Sequence, residues 1–404
     1  MGITPRTLVF ISVIFIMIET IFVFYASTPF RRNINNNPTN FCLKSVSGVQ
    51  TIDTISQPAD SQPVRQNAVA ESKGPADFET LPLNKNAKPL IVIYLHTCPG
   101  TYHRLSQLKD TWANHEMIRD GTIVIEAIVS HLVNQGNGPF KQIVVGCNGE
   151  RIFATCRFQR AYDEFLKNHP DTPWLFSADD DIWLDIDNLY KYAQNMMEVH
   201  DPMKELVFKG HANREKTKRY FLHGGCGWFI SNCFLRFCQH NRIDMNDYLP
   251  VSRYRQPDTS QSIILRHIFP NISDWDEYHM QGFECKGCSI DSWINANWEN
   301  LQECDPNNPH GRLKDIISFH TIGLGDANFK IAKQIKSAPD WVYFHRFNPT
   351  QSVQMCKGTP GKNFNLADYQ IDTLKKNEKI FKPKEIKVPI ADVKELPDEN
   401  LTGD

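Results

Sequence analysis

The chain is predicted to fold as an α/β domain with a central, mostly parallel sheet flanked by helices, and three observations carry that prediction. Leu90 to Leu95 is a continuous apolar run, the pattern of a strand buried on both faces. Apolar runs then alternate with segments of helical period as far as Met197, which is the signature of a sheet whose strands are joined by helices. Finally, Asp179, Asp180 and Asp181 follow directly on the apolar stretch Trp174 to Ala178. Charged groups at the carboxyl end of a buried strand stand where open α/β sheets bind their ligands.

The elements follow in order. After the first strand, Thr97, Cys98, Pro99 and Gly100 form a loop, and Arg104 to Asn114 is expected as a helix. Thr122 to Val129 and Gln142 to Val145 are the second and third strands. Between Ile152 and Asn168 the residues Phe158, Ala161, Tyr162, Phe165 and Leu166 share one helical face. Beyond the acids and Ile182 to Leu184, either Asp185 or Asp187 can cap a helix that buries Leu189, Tyr192, Ala193, Met196 and Met197. Phe208 to Ser231 suggests strands around the loop Gly224-Gly225-Cys226-Gly227, and Asn232 to Gln239 a short helix. Asp274 to Asn308, rich in Trp, Asn and Cys, is expected as irregular, disulfide-held structure.

With 404 residues, 41% hydrophobic and 22% charged, the chain has room for one large domain or two small ones. A net charge of -2 leaves no global basic surface, which argues against nucleic acid as a partner. Residues 8–26 form a stretch just long enough to span a bilayer, without a small-x-small cleavage site after it, and are expected as an uncleaved transmembrane signal anchor behind a short cytoplasmic tail, residues 1–7. Residues 27–87, rich in Asn, Pro, Ser, Gln and Ala, cannot bury enough apolar surface to fold alone and are expected as a disordered stem. The folded domain is placed at 88–345 and a peripheral extension at 346–404. Arg31 and Arg32 after the anchor, against Arg6 before it, oppose a lumenal body by the positive-inside rule. The sequons beginning at Asn271 and Asn400 and the 11 cysteines favour it, and are given the greater weight. An odd cysteine count leaves at least one thiol free or joined to another chain. Cys42 is the candidate, through which a homodimer could form, whereas Cys285 and Cys288 are expected in disulfides rather than in a zinc site.

Three adjacent carboxylates at a buried strand end cannot all stay ionised without a cation. Oxygen ligands select a hard divalent ion such as manganese or magnesium, which leaves coordination places for phosphate oxygens. No GxxxxGK[ST] phosphate loop is present, which argues against kinase-like use of a nucleotide, and the acids are too few and too clustered for a two-metal phosphohydrolase.

From Leu90 to Gly323 the motifs, in order, resemble those of the fringe-type β1,3-glycosyltransferases, a group that includes the core-1 β1,3-galactosyltransferases. Arg104 stands eight residues before Trp112 in Asp110-Thr111-Trp112. Cys147 and Cys156 precede the helix containing Tyr162, Asp163 and Phe165. Trp174 leads to Asp179-Asp180-Asp181, and His223-Gly224-Gly225-Cys226-Gly227 leads to Ser231, with Cys226 where the family has alanine. The resemblance implies a GT-A-like single catalytic domain, a UDP-sugar donor and a glycoprotein or glycan acceptor. Asp181 and His320 would then ligate Mn2+ or Mg2+, Asp179 or Asp180 would contact the donor ribose and sugar, and Thr97 and Arg104 would line the nucleotide pocket. Asp258 matches the acid that serves as catalytic base, although it stands alone where the family has two adjacent acids, and Ser262 replaces a glycine. The implied reaction is inverting transfer of galactose or N-acetylglucosamine in β1,3 linkage by a type II, single-pass Golgi membrane protein with a lumenal domain. The alternative is a catalytically silent relative acting as a client-specific chaperone or glycan-binding protein.

Overall fold

The structure, a computed structural model, describes residues 80–133, 139–147, 154–214, 220–251, 256–271, 274–277, 279–282, 297–304, 310–321, 330, 333–346, 353–358 and 379–383. Residues 8–26, the stem as far as residue 79, Cys42, Cys285, Cys288 and Asn400 lie outside these. Among the described residues no helix is long and apolar enough to cross a membrane.

The strands are β1 (Ile91–His96), β2 (Ile123–Val129), β3 (Lys141–Val144), β4 (Trp174–Asp179), β5 (Ile182–Leu184), β6 (Phe208–Gly210), β7 (Ala212–Arg214), β8 (Tyr220–Leu222), β9 (Trp228–Ser231), β10 (Met280–Gly282), β11 (His310–Arg312), β12 (Ser318–His320), β13 (Val342–Arg346) and β14 (Val353–Lys357). The α-helices are α1 (Arg104–Lys109), α2 (Glu116–Arg119), α3 (Ala154–Asn168), α4 (Ile186–Val199), α5 (Asn232–His240) and α6 (Pro257–Ile268). The main sheet has the order β3-β2-β1-β4-β9-β6. Its first four strands are parallel, and β9 runs antiparallel to both β4 and β6. The chain therefore builds outward from β1 to β3 and then returns to lay β4 on the other side of β1. That reversal opens a crevice at the carboxyl ends of β1 and β4, the binding position of doubly wound sheets.

Period-2 alternation divides the core into two layers. Ile91, Ile93, Leu95, Trp174 and Phe176 face Leu105, Leu108, Leu189, Tyr192 and Met196 of α1 and α4. Val92, Tyr94 and Leu175 face Phe158, Phe165, Phe234 and Ile264 of α3, α5 and α6. All six residues of β1 are buried, which explains its uninterrupted apolar run. Each fully buried aliphatic or aromatic side chain contributes about 1.5–3 kcal/mol.

Several expectations shift. The helix expected over Arg104 to Asn114 breaks: α1 stops at Lys109 and a short 3-10 turn, Trp112–Asn114, replaces its second half. Thr111 leaves the helical region there, and the Trp112 indole donates to the Ile182 carbonyl at 3.1 Å, drawing the chain inward. The third strand begins one residue earlier than expected, at Lys141. Asp185, not Asp187, caps α4 by accepting from the Asn188 amide, whereas Asp187 pairs with His115 at 3.3 Å. Within the stretch expected to be irregular, β10 joins β12, and Cys304 is bonded to Cys356. That bond, the β13–β14 pairing and buried Phe381 against Phe269 join parts of the 346–404 extension to the fold. Cys147 is bonded to Cys156, while Cys233 and Cys238 are buried free thiols, so free thiols are not confined to the Cys42 candidate.

Candidate functional site

The crevice between β1 and β4 collects the charged residues. Asp179 ends β4, directly across from His96 at the end of β1, and Thr97 follows His96. Thr97 Oγ1 donates to Asp180 Oδ2 at 2.5 Å, and the Thr101 hydroxyl donates to the same oxygen. From the first turn of α1, Arg104 Nη1 reaches Asp180 Oδ1 at 2.9 Å and Asp181 Oδ2 at 3.3 Å. Cys98 is disulfide-bonded, which fixes the loop carrying the two threonines.

A second, smaller sheet brings in the histidine. β12 pairs antiparallel with β5, with His320 opposite Ile182, one residue beyond Asp181. His320 Nε2 consequently lies 3.1 Å from Asp181 Oδ1. Thr321 locks this register, because both its amide, at 2.9 Å, and its hydroxyl, at 2.6 Å, donate to the Asp181 carbonyl. The opposite wall is the Gly224–Cys226 turn. A Cβ on Gly225 would stand 2.6 Å from the His320 ring, so only glycine lets this loop approach so closely. His223 packs on His320 with ring centroids 5.0 Å apart. Asp258, in the first turn of α6, closes the site from the other side: a Cβ on Gly224 would meet its Cβ at 3.8 Å.

Burial and crowding separate the three acids. The Asp179 carboxyl is pushed up to about 7, first by burial and then by the charge of Asp181, with Asp180 and Asp258 adding to it and His320 opposing. Burial also raises Asp180, reinforced by Asp181 and opposed by Arg104 and the two threonines. At Asp181 burial works upward too, but the His320 hydrogen bond and charge, with Arg104, outweigh it and hold the carboxyl below its ordinary value. Asp181 is thus the member of the trio whose surroundings favour the ionised form most.

All seven residues singled out in the sequence, Thr97, Arg104, Asp179, Asp180, Asp181, Asp258 and His320, fall in this one region. Thr101, His223 and Ser262 were missed. The Thr97-x-x-x-Thr101-x-x-Arg104 spacing was the available signal for the first; His223 opens the Gly224-Gly225 motif and Ser262 stands where the family has glycine, but neither pattern assigns the residue a role. A separate cleft of about 270 Å³, lined by residues including Trp112, His115, Trp183 and Lys336, contains none of the seven.

The fit of a divalent ion rests on Asp181 and His320. Metal–oxygen bonds of roughly 2.1 Å put adjacent octahedral ligands about 3.0 Å apart, close to the observed separation of their donor atoms. Among the described residues no group of three His, Cys, Asp or Glu side chains has the arrangement of a metal centre, so these two residues supply only part of a coordination shell.

No family model matches the chain, and no curated protein does. Among solved structures it is similar to a glycosyltransferase involved in the glycosylation of the major capsid of PBCV-1, at 12% identity and a TM-score of 0.35, covering 62% of this chain and 100% of that one. It is also similar to the galactosyltransferase LgtC in complex with donor and acceptor sugar analogs, at 9% identity and a TM-score of 0.35, covering 62% and 98%. Likeness at this level carries no inference about the reaction, which has to be argued from the site.

Proposed function

We propose that the chain is an inverting glycosyltransferase that moves a hexose, galactose or N-acetylglucosamine, from a UDP-sugar to a glycan hydroxyl on a secretory-pathway glycoprotein, in β1,3 linkage. The observation carrying this reading is the convergence at one sheet switch point of a carboxylate–imidazole pair 3.1 Å apart, an arginine bridging two acids, and a separate carboxylate on the opposite wall. A site for proton abstraction alone does not require the first two features.

Asp181 and His320 would hold the divalent ion, manganese or magnesium, which when bound supplies positive charge to a departing diphosphate. Arg104, held between Asp180 and Asp181, keeps a fixed positive charge at the mouth of the crevice where a nucleotide phosphate would enter. Asp180 is fully engaged by Arg104, Thr97 and Thr101, so its role is to set that wall of the nucleotide pocket. Asp179, whose carboxyl is pushed up to about 7, is protonated in a substantial fraction of molecules near neutral pH and in that form can donate a hydrogen bond to a donor hydroxyl. Asp258 lies across the Gly224 turn from this group and can take the proton of an attacking acceptor hydroxyl, a contribution of about 10²–10⁴-fold. No covalent intermediate is needed for inversion. The Golgi location, lumenal orientation and anchoring through residues 8–26 belong to the same proposal and are supported by the apolar N-terminal stretch and the sequons.

Calorimetric titration of UDP in the presence of manganese into wild type, Asp181→Asn and Asp258→Asn tests the assignment. Asp181→Asn is expected to lose metal-dependent binding, and Asp258→Asn to bind normally but transfer no sugar. Equal affinity in wild type and Asp181→Asn overturns the metal role. A screen of UDP-sugars for manganese-dependent hydrolysis by the fragment from Asn86 identifies the donor.

A further inference from the structure

Resting on the proposed transfer reaction, we infer that Ser262 is a positioning residue that ties the helix turn carrying Asp258 to the wall carrying His223 and, through it, His320. Ser262 is buried in α6, one turn after Asp258. Its hydroxyl donates to the Asp258 carbonyl and accepts from the Leu222 amide at 2.7 Å. A serine bonding back to the carbonyl four residues earlier is common in helices. The second bond is not: it comes from the last residue of β8, outside the helix. The next residue along is His223, whose amide donates to the His211 carbonyl and whose ring packs on His320. The Gly224 turn follows at once, in contact range of Asp258.

One hydroxyl thus fixes the distance between the acceptor-side carboxylate and the donor-side pair. Its two partners are backbone groups, so it sets the spacing of main chain to main chain and leaves the Asp258 carboxylate to act. Leu222 is fully buried, and removal of the hydroxyl strands its amide without water to replace the bond. A shift of even about 1 Å in the base relative to the donor is enough to cost roughly 10²-fold in a positioned reaction. Donor binding depends on Arg104 and on Asp181 and His320, whose register is locked separately by the two Thr321 bonds to the Asp181 carbonyl, so loss of the link displaces Asp258 rather than that group.

The test compares Ser262→Ala, Ser262→Cys and Ile264→Val in the full chain. Ser262→Ala is expected to lower kcat for transfer at least 10-fold, with KM and Kd for the UDP-sugar within 2-fold of wild type, and to speed hydrogen exchange at the Leu222 amide. Ser262→Cys keeps a group that can still donate and accept, weakly, at the same place, and gives the same split at smaller amplitude. Ile264→Val, a buried change on the same helix, leaves kcat within 2-fold. Wild-type kcat in Ser262→Ala, or kcat and donor affinity lost in equal measure, overturns the inference. Unchanged exchange at Leu222 overturns it also, even if no UDP-sugar is a substrate of the wild type; that last result would by itself sink only the transferase reading.

Discussion

Glu277 offers the most quantitative test of how the two sheets are held together. Its carboxylate is nearly buried. Oε1 accepts from the His279 amide at 3.0 Å and pairs with His279 Nδ1 at 2.9 Å, while Oε2 accepts from the Tyr192 hydroxyl of α4 at 2.7 Å. Burial alone would raise this carboxyl, but the His279 hydrogen bond and charge, aided by the amide and Tyr192, bring it down to about 2 from an ordinary 4.5. A drop of about 2.5 units corresponds to about 3 kcal/mol at 1.36 kcal/mol per unit. The folded state binds the proton less tightly than the unfolded chain does. This stabilisation is therefore complete above pH 4.5 and is lost as the pH falls toward 2. Glu277→Gln keeps the shape and the acceptor for His279 but removes the charge. Urea denaturation is expected to find it about 3 kcal/mol less stable than wild type at pH 7, with the gap narrowing to about 1 kcal/mol at pH 3. Equal gaps at the two pH values would refute the reasoning.

Other perturbations have equally direct readouts. Gly225→Ala drives a methyl group into the His320 ring, and is expected to reduce manganese-dependent UDP binding at least 10-fold in calorimetry while the circular dichroism spectrum stays that of wild type. Cys304→Ser opens a link spanning 52 residues, and by chain entropy costs up to about 4 kcal/mol in denaturant titration under oxidising conditions. Phe165→Ala empties a fully buried position between α3 and the sheet, with an expected loss of about 3–5 kcal/mol by the same assay.

Much of the main sheet could be read in advance because its strands are buried on both faces. β1 and β4 are apolar runs for the same reason that they lie at the centre, and the α3 and α4 stripes are clear because each covers one core layer. The helix beginning at Arg104 was overextended because periodicity is blind to a tryptophan whose indole seeks a carbonyl 70 residues away. The acids announced themselves by local chemistry. His320 did not: only the family resemblance singled it out, since a β12–β5 pairing across 139 residues leaves no trace in the residues around either strand. Thr101 and Ser262 act through hydroxyls on partners 79 and 40 residues away, and serine and threonine look alike in the sequence whether they solvate a loop or lock a site.

The late arrival of His320 has a consequence for biosynthesis. Asp181 leaves the ribosome 139 residues ahead of the imidazole that neutralises it, an interval of roughly 7 to 28 seconds at about 5–20 residues per second. Throughout that time β5 lacks its β12 partner, and the nascent chain carries its acids with Arg104 beside Asp180 and Asp181 and the Arg157 charge near Asp179 and Asp180. Folding of this half cannot be completed co-translationally in order of synthesis, and a polypeptide cut short before Ser318 is expected to remain protease-sensitive around β5 however well β1 to β4 have assembled.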